Sequence, residues 1–315
     1  MNTTDIVVVY QDHSLLIINK PAGIVIHPTY KHADGDTLWD ALLHYLQQHP
    51  AEPWQAPDLP DDPEWAGAPE EVKVMLRERR EIFLRKKLEI LPRPCLLHRL
   101  DKDTSGVVAL ARTESARRHI IQQFHAHTIE KRYLALAQCV APVWATPQAP
   151  LTFTRRGADG RTEIGDASAL LTLAPADELL IDGPLQRDPV DRRRCIVGPD
   201  GQQAQTAVRV LAREQGYMLL EVRPITGRTH QIRAHLTAAG YSLVGDRVYA
   251  PTPVPGTPAA ALQRQFLHAA SLTLRNYPDN SMCNFTAPLP SDLADWLAHY
   301  MGGESPAAKY RALWA

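Results

Sequence analysis

The sequence predicts an α+β fold in which a large, mostly antiparallel mixed sheet is flanked by helices. Apolar runs with the length and composition of strands outnumber helical patterns, and short turns join most of them. Strands joined by short turns pair antiparallel, because a parallel pair needs a long crossover connection. Hydrophobic residues at 44% and charged residues at 22% are typical of a globular protein, and 315 residues can bury a substantial core.

The first predicted elements are a hairpin and a helix. The runs 6–10 and 15–19 are rich in Val, Ile and Leu, and four polar residues separate them, which predicts two antiparallel strands. Residues 37–48 carry Leu38 and Leu42 at helical spacing, and Asp36 is the candidate N-cap. The chain is therefore expected to begin as strand, strand and helix.

Residues 50–94 are predicted to be an insertion in this fold. The stretch 50–69 is rich in Pro, Asp, Glu and Trp and contains no Lys or Arg, as expected of a loop. Residues 70–91 interleave basic side chains with Val72, Leu76 and Phe83, which predicts a basic amphipathic helix. Two interpretations stay open: a surface helix packed by its apolar side, or an arm that contacts phosphate groups.

A charged turn follows the predicted insertion and leads into a buried strand. Asp101 lies between Arg99 and Lys102, and a Thr-Ser-Gly turn at 104–106 leads into an apolar strand. A carboxylate at the lip of a strand, with cations beside it, can be kept ionised and can act as a nucleophile. The same pattern also fits an ordinary solvated turn, so this segment alone does not decide.

The rest of the chain continues the strand-rich pattern. Further strands are predicted over 106–111, 130–137, 151–154, 170–173, 179–182, 204–211, 217–224, 269–274 and 282–285. Further helices are predicted over 114–127 and 290–300 and between Thr229, the candidate N-cap, and Gly240. Arg228, His230 and Arg233 would cluster at the start of that last helix, where the helix dipole favours anions.

The net charge, the cysteine spacing and the N-terminal segment limit the classes of protein to which the chain can belong. The formal net charge of −1 does not suggest a polyanion partner, although a net value can hide a basic patch. The four cysteines lie far apart and form no C-x-x-C pair, so neither a metal site nor a dense disulfide framework is predicted. No signal peptide and no apolar run of membrane-spanning length are seen, so a cytoplasmic location without membrane association is expected.

Motifs of several enzyme classes are missing from the sequence. It contains neither G-x-G-x-x-G after a strand nor a P-loop, so no nucleotide cofactor is expected. It also lacks the G-x-S-x-G elbow of serine hydrolases and the H-E-x-x-H pair of zinc enzymes. The segment HRLD at 98–101 is superficially like the kinase catalytic loop, but no D-F-G or glycine-rich loop accompanies it.

Several segments stand in an order that is similar to one known family. They are NKPAG at 19–23, HP at 27–28, HRLD at 98–101, TSG at 104–106, EKRY at 130–133, TGRTHQIR at 226–233, GD at 245–246 and Tyr249. From about residue 5 to 290 the chain resembles the RluA-type pseudouridine synthases. The resemblance implies one catalytic domain over 1–315 with a central RNA-binding cleft, an insertion at 50–94 and no separate N-terminal RNA-binding domain.

The resemblance also implies roles for individual residues. Asp101 matches the family's essential aspartate, the nucleophile or charge stabiliser at the ribose, and Arg233 matches the arginine that ion-pairs with it. Tyr133 matches the tyrosine that stacks on the flipped base and is a candidate for proton removal. Arg99 matches the arginine that fills the gap left by the extruded uridine. Further substrate-binding residues are expected to be His98, Thr104, Arg228, His230 and Gln231.

The implied activity is the isomerisation of specific uridines in rRNA or tRNA. The reaction conserves all atoms, so no cofactor and no metal are expected, and the implied partner of a monomeric enzyme is a structured RNA. The target base must leave its stack, which costs a few kcal/mol. A basic patch for the RNA is expected from Arg99, Arg117, Arg118, Lys131, Arg132, Arg228 and Arg233.

Two other functions stay open at this point. One is a non-catalytic RNA-binding protein on the same scaffold, and the other is a carboxylate-based glycosidase that hydrolyses another nucleoside. A protein that only binds RNA has no need for Asp101, Tyr133 and Arg233 together, which favours the isomerase.

Overall fold

The structure is a computed structural model that describes residues 6–26, 37–48, 61–87 and 90–301. Within these ranges the chain is a mixed α+β fold, which confirms the predicted fold class. The strands are β1 (Val7–Gln11), β2 (Leu15–Lys20), β3 (Ile90–Leu96), β4 (Ser105–Thr113), β5 (Glu130–Gln138), β6 (Thr152–Arg156), β7 (Thr162–Gly165), β8 (Glu178–Asp182), β9 (Leu185–Arg187), β10 (Cys195–Val197), β11 (Gln205–Glu214), β12 (Tyr217–Pro224), β13 (Ser242–Leu243), β14 (Leu267–Arg275) and β15 (Met282–Thr286). The helices are α1 (Leu38–Gln48), α2 (Glu70–Lys87), α3 (Glu114–His125), α4 (Ala169–Thr172), α5 (Gln231–Ala238) and α6 (Ser291–Tyr300).

One large sheet carries most of the strands. Its order is β1-β2-β4-β14-β5-β12-β11-β8-β6-β7, with β3 beside β4, β13 beside β5 and β15 beside β14. The strand pairings in the described ranges are antiparallel except that β4 runs parallel to β14. Strands β9 and β10 form a separate antiparallel pair. The mostly antiparallel mixed sheet predicted from the sequence is therefore confirmed.

The two faces of the sheet are covered by different helices. Side chains alternate between the faces along each strand, so Ala135 of β5 packs in the cluster that includes α1 and α5. Its neighbour Leu134 packs with α6 on the opposite face. Helix α3 packs on that opposite face as well, against the β2 and β4 residues that point away from α1. Tyr133 lies on the α5 face, two residues from Ala135.

The described part of the predicted insertion contains the predicted basic helix. Helix α2 begins at Glu70, and Arg77 on it contacts Asp61 at 2.6 Å and Glu70 at 2.8 Å. Val72 and Ile82 of this helix keep 38% and 54% of their surface exposed. The apolar side of α2 is therefore not buried against the described part of the chain.

The strand predicted over 170–173 is wrong. Residues 170–172 belong to the short helix α4, and Leu173 is its C-cap. Leu170 and Leu173 are buried, whereas Leu171 between them is 48% exposed. Burial of every third residue is the pattern of a helical turn, and a strand would bury every second one. The apolar run of residues 170–173 is too short for its period to be recognised from the sequence.

Candidate active site

A cleft of about 440 Å³ opens between the turn before β4, strand β5 and the start of α5. The nine residues predicted for the site all line this cleft: His98, Arg99, Asp101, Thr104, Tyr133, Arg228, His230, Gln231 and Arg233. They come from three segments that are distant in the sequence. The fold thus brings the three residues predicted to be catalytic into one cavity.

The loop that carries Asp101 is held in place through its backbone. The Thr104 N–H donates to the Asp101 carbonyl at 3.1 Å, and the buried Lys20 ammonium donates to the Thr104 carbonyl at 3.0 Å. Gly106 has a φ of +119°, and a Cβ there would lie 2.1 Å from the carbonyl oxygen of Ala269. Glycine therefore permits β4 to approach β14, and this approach fixes the Asp101 loop beside the cleft.

Asp101 belongs to a network of charged side chains. Arg233 donates from Nη1 to Asp101 at 2.9 Å and from Nε and Nη2 to Asp246 at 2.7 and 2.9 Å. The side chains of Arg233 and Asp246 are 6% and 0% exposed, whereas that of Asp101 is 21% exposed. Asp246 therefore holds the guanidinium through a bidentate pair, and the guanidinium in turn orients the more accessible Asp101 carboxylate.

The charge of Arg233 is secured by its two partners. Burial alone would lower the pKa of Arg233, but the hydrogen bond to Asp246 and the negative charges of Asp246 and Asp101 raise it above its usual value. The guanidinium also lies over the ring of Tyr249, 4.7 Å from its centroid. Arg233 thus remains a cation that faces Asp101 at neutral pH.

Helix α5 begins in a way that differs from the prediction. Thr229 is not the N-cap; His230 occupies that position with a φ of 53°, and the helix starts at Gln231. The Gln231 side-chain oxygen accepts the Arg228 N–H at 2.9 Å, and its Nε2 donates to the Gln205 carbonyl at 2.8 Å. A buried glutamine therefore fixes the loop that presents Arg228 to the cleft, and the His230 side chain does not cap the helix.

His230 lies between the charged network and Tyr249. Its Nδ1 lies 3.1 Å from the Tyr249 hydroxyl, and its Nε2 lies 3.8 Å from Asp101 Oδ1. Burial lowers the pKa of His230, although the Asp101 charge opposes this shift. The His230 ring is therefore uncharged at neutral pH and does not compete with Arg233 for the Asp101 carboxylate.

Tyr133 and His98 contribute uncharged rings to the cleft. Burial, and to a smaller extent the Asp101 charge, raises the pKa of Tyr133 well above its usual value, so the side chain is a phenol at neutral pH. Burial and the Lys131 charge lower the pKa of His98 to about 3. The Ala109 N–H donates to His98 Nε2 at 3.1 Å, which fixes the neutral ring against β4.

Cations line the mouth of the cleft. Arg99 and Arg228 are exposed, and Lys131 is half-buried with its ammonium donating to the Thr226 carbonyl at 3.1 Å. The basic patch at the cleft contains fewer residues than the sequence predicts, because Arg117, Arg118 and Arg132 do not line the cleft. The first two pair with Glu114, and Arg132 pairs with Glu130.

Affinity for a polyanion is expected to depend on the charge of Lys131. Burial lowers the pKa of Lys131 to about 8, so its positive charge is complete below that pH and is lost as the pH rises through it. Affinity for a polyanion should therefore fall roughly tenfold between pH 7 and pH 9, because one charge-assisted contact is worth about this much. Lys131→Arg keeps its charge over this range and should abolish the fall. Filter binding of a single-stranded polynucleotide at constant ionic strength measures the affinity of both proteins; an equal pH dependence in the two proteins would contradict this role.

Three supporting residues are not among the site residues that the sequence predicts. Lys20, Asp246 and Tyr249 all lie in the segments that carry the resemblance, so the signal for them was present. Gly245 has a φ of +76°, and a Cβ there would lie 2.1 Å from the Arg264 carbonyl oxygen. The Gly-Asp pair at 245–246 thus marks a tight backbone approach that positions the Asp246 carboxylate.

No group of three or more His, Cys, Asp or Glu side chains that could hold a metal ion occurs in the described part of the chain. The helices within it are also too short or too polar to cross a membrane. The reactive groups that line the cleft include the Asp101 carboxylate, the Tyr133 phenol, several imidazole rings and the cations around them.

This arrangement suits chemistry at a sugar carbon. A carboxylate aligned by a guanidinium can attack an electrophilic carbon, and a phenol ring beside it can support a planar group by stacking. Cations at the rim can bind the phosphates on either side of that group. A nucleotide within a nucleic acid strand offers all three features.

Comparison with known proteins gives a consistent family. Residues 14–238 match the RNA pseudouridylate synthase family model. A Chloroflexus aurantiacus protein named as an uncharacterized RNA pseudouridine synthase is 37% identical over 275 residues, which cover 87% of this chain and 63% of that protein. The ribosomal large subunit pseudouridine synthase D of Nitrosomonas europaea is 31% identical over 290 residues, covering 91% of this chain and 63% of the relative. The chain thus spans less than two thirds of the length of these relatives.

Solved structures share the fold. The human protein named RNA pseudouridylate synthase domain containing 4 superposes on this chain with a TM-score of 0.54 at 20% identity. The match covers 92% of this chain and 91% of the human chain. The human RNA pseudouridylate synthase domain containing 1 superposes with a TM-score of 0.53, also at 20% identity, and covers 94% of this chain and 89% of its own.

Proposed function

Because the chain belongs to the RNA pseudouridylate synthase family, we propose that it isomerises specific uridines of RNA to pseudouridine. The bacterial relatives named as ribosomal large subunit enzymes favour ribosomal RNA as the substrate, with tRNA as the second candidate. The observation that carries the proposal is the Asp101–Arg233 contact of 2.9 Å beside Tyr133 in one cleft.

Asp101 is proposed to act at the ribose of an extruded uridine. Its carboxylate attacks C1′, the C1′–N1 bond breaks, and the electron pair of that bond leaves with the uracil. The uracil then turns so that C5 bonds to C1′ while the bond from Asp101 to C1′ breaks. The proton on C5 is lost and N1 gains a proton, so all atoms other than this exchanged hydrogen are conserved.

The other cleft residues are proposed to bind and orient the RNA. Arg99 is exposed at the mouth, where its planar guanidinium can stack in the place that the extruded base leaves. Arg228 presents a second exposed cation from the loop before α5. Thr104, His98 and Gln231 are tied into hydrogen bonds with the protein, and they support the proposal by fixing the loops on which the contacting side chains stand.

Nucleoside analysis separates this function from the two alternatives. Fragments of large subunit rRNA and tRNA transcripts are incubated with the protein and digested, and uridine, pseudouridine and uracil are quantified. The proposal requires that pseudouridine appears at the expense of uridine. Free uracil would instead identify a hydrolase, and tight binding without either product would identify a non-catalytic RNA-binding protein. Mapping of pseudouridines in a deletion strain then identifies the modified RNA.

Tyr133→Phe is expected to separate two roles of this side chain. The phenol oxygen can take the C5 proton while its own proton passes to the Asp101 carboxylate released from C1′, a relay worth on the order of 10²-fold or more in rate. Asp101 then returns to the carboxylate by giving this proton to water, and N1 takes its proton from water. Phenylalanine keeps the ring for stacking, so RNA affinity should change by less than about threefold. Rates at saturating RNA and binding constants measure the two effects. Wild-type turnover in the phenylalanine variant would exclude the relay and leave stacking alone.

A further inference from the structure

A second cavity lies on the far side of the loop that borders the cleft. It has a volume of about 370 Å³, and β9, β10 and the residues after β10 form its walls. Gly227, Arg228 and Thr229 line both this cavity and the cleft. The two spaces are therefore neighbours separated by one loop.

The hairpin that forms the wall is fixed to the catalytic residues. The Cys195 N–H on β10 donates to the Tyr249 hydroxyl at 2.6 Å, and that hydroxyl donates to the Cys195 carbonyl at 3.1 Å. The same hydroxyl lies 3.1 Å from His230, whose other ring nitrogen is 3.8 Å from Asp101. A group bound in the second cavity would thus sit at a set distance from the reacting sugar.

The two guanidinium groups of this cavity donate to backbone carbonyls. Arg187 is exposed and donates to the Arg192 carbonyl at 3.2 Å, and Arg228 donates from Nε to the Gln203 carbonyl at 3.1 Å. Within the described ranges neither guanidinium forms an ion pair with a carboxylate, whereas Arg193 of the same hairpin pairs with Asp191 at 2.6 Å. Two exposed guanidinium groups that contact only carbonyls suit a phosphate ligand.

The remaining polar side chains of the cavity suit the edge of a base. Gln186, Asp200 and Gln202 line it and supply amide and carboxylate groups. Amides offer both donors and acceptors, and a carboxylate accepts from the amino groups of bases. Unstacked bases in single-stranded RNA are commonly recognised through such edges.

We propose that this second cavity binds a nucleotide next to the target uridine in the RNA strand. Its phosphate lies between Arg187 and Arg228, and its base edge contacts Gln186, Gln202 and Asp200. The site rests on the proposed function for the identity of the strand. Extrusion of the uridine disrupts stacking with its neighbour, and the cavity then gives that neighbour a defined place. Reading of this nucleotide would contribute to the choice of target.

Arg187→Gln tests the proposal, with Arg193→Gln as the matched control from the same hairpin. Loss of one phosphate contact should raise the dissociation constant for RNA about tenfold and reduce the slope of log affinity against log salt by about 0.7 to 0.9. The rate at saturating RNA should fall by less than the affinity. Arg193→Gln should match the wild type in both, because Arg193 lines neither cavity. Equal affinity and salt dependence in the wild type and Arg187→Gln would overturn the phosphate contact.

RNA probes test the base contact separately. A minimal substrate with an abasic residue on one side of the target uridine should bind the wild type more weakly, and the same change on the other side should not. Equal affinity for both abasic RNAs and the parent would overturn the nucleotide site. Both tests measure binding, so they do not depend on the proposed activity. If the wild type makes no pseudouridine but Arg187→Gln still weakens RNA binding, the proposed activity is refuted and the nucleotide site is supported.

Discussion

Asp101→Asn is expected to abolish uridine isomerisation, with turnover lower by on the order of 10⁴-fold or more, as for other enzymes that lose their nucleophile. Asparagine has nearly the same shape and still accepts a hydrogen bond from Arg233 Nη1, which lies 2.9 Å from the aspartate oxygen. It carries no negative charge, so it cannot attack C1′. Single-turnover formation of pseudouridine in a defined RNA measures the loss.

The RNA affinity of the same variant separates chemistry from binding. Removal of a negative charge from a cleft that binds a polyanion should leave affinity unchanged or slightly higher. Asp103→Asn is the matched control, because Asp103 lies in the same loop but does not line the cleft. It should retain wild-type turnover. Turnover of Asp101→Asn within about a hundredfold of the wild type would be too fast for an enzyme without its nucleophile and would contradict the proposed role.

Arg233→Met is expected to reduce both stability and turnover. The variant leaves the Asp246 carboxylate, which is 0% exposed, without its bidentate partner, and removal of one member of a buried pair typically costs about 3–5 kcal/mol in the free energy of unfolding. It also frees Asp101 to leave the orientation that Arg233 imposes, which should lower turnover on the order of 10³-fold. Urea unfolding and single-turnover rates measure the two effects.

Two further variants separate the loss of stability from the loss of Asp101 orientation. Arg233→Lys retains a charge but cannot span both carboxylates, so it should fold more stably than the methionine variant and remain slow. Arg155→Met removes the partner of Asp177, whose side chain is 11% exposed, at a site outside the cleft. It should lower stability and leave turnover at saturating RNA unchanged. Wild-type turnover in Arg233→Lys would show that the bidentate geometry of the arginine is not needed to orient Asp101.

The strands were predictable because their apolar runs are long and composed of β-branched and aliphatic residues. Strand β12 begins and ends at the predicted residues, 217 and 224, and the first hairpin pairs antiparallel as expected. The error at residues 170–173 arose where four residues form a single helical turn, since so short a run has no measurable period. The parallel pairing of β4 and β14 was not predictable, because it depends on the close approach that Gly106 permits.

The site was predictable only in part, and for a physical reason. Asp101, Tyr133 and Arg233 come from segments with recognisable motifs, and their meeting in one cleft follows from the resemblance rather than from local sequence. The start of α5 was misplaced because His230 takes the N-cap position, with a ring nitrogen 3.1 Å from the Tyr249 hydroxyl, and because the Gln231 side chain ties the preceding loop to the Gln205 carbonyl. Tertiary contacts of this kind leave no local pattern.

Release of tritium from uridine labelled at C5 tests the central claim most directly. RNA that carries this label is incubated with the wild type and with Asp101→Asn, and tritium in water, pseudouridine and free uracil are counted in the same reaction. Formation of the C5–C1′ bond requires loss of the C5 hydrogen, so the account predicts one tritium released per pseudouridine with the wild type, no free uracil, and no release with Asp101→Asn. Free uracil from the wild type, or tritium release by Asp101→Asn at a comparable rate, would contradict it.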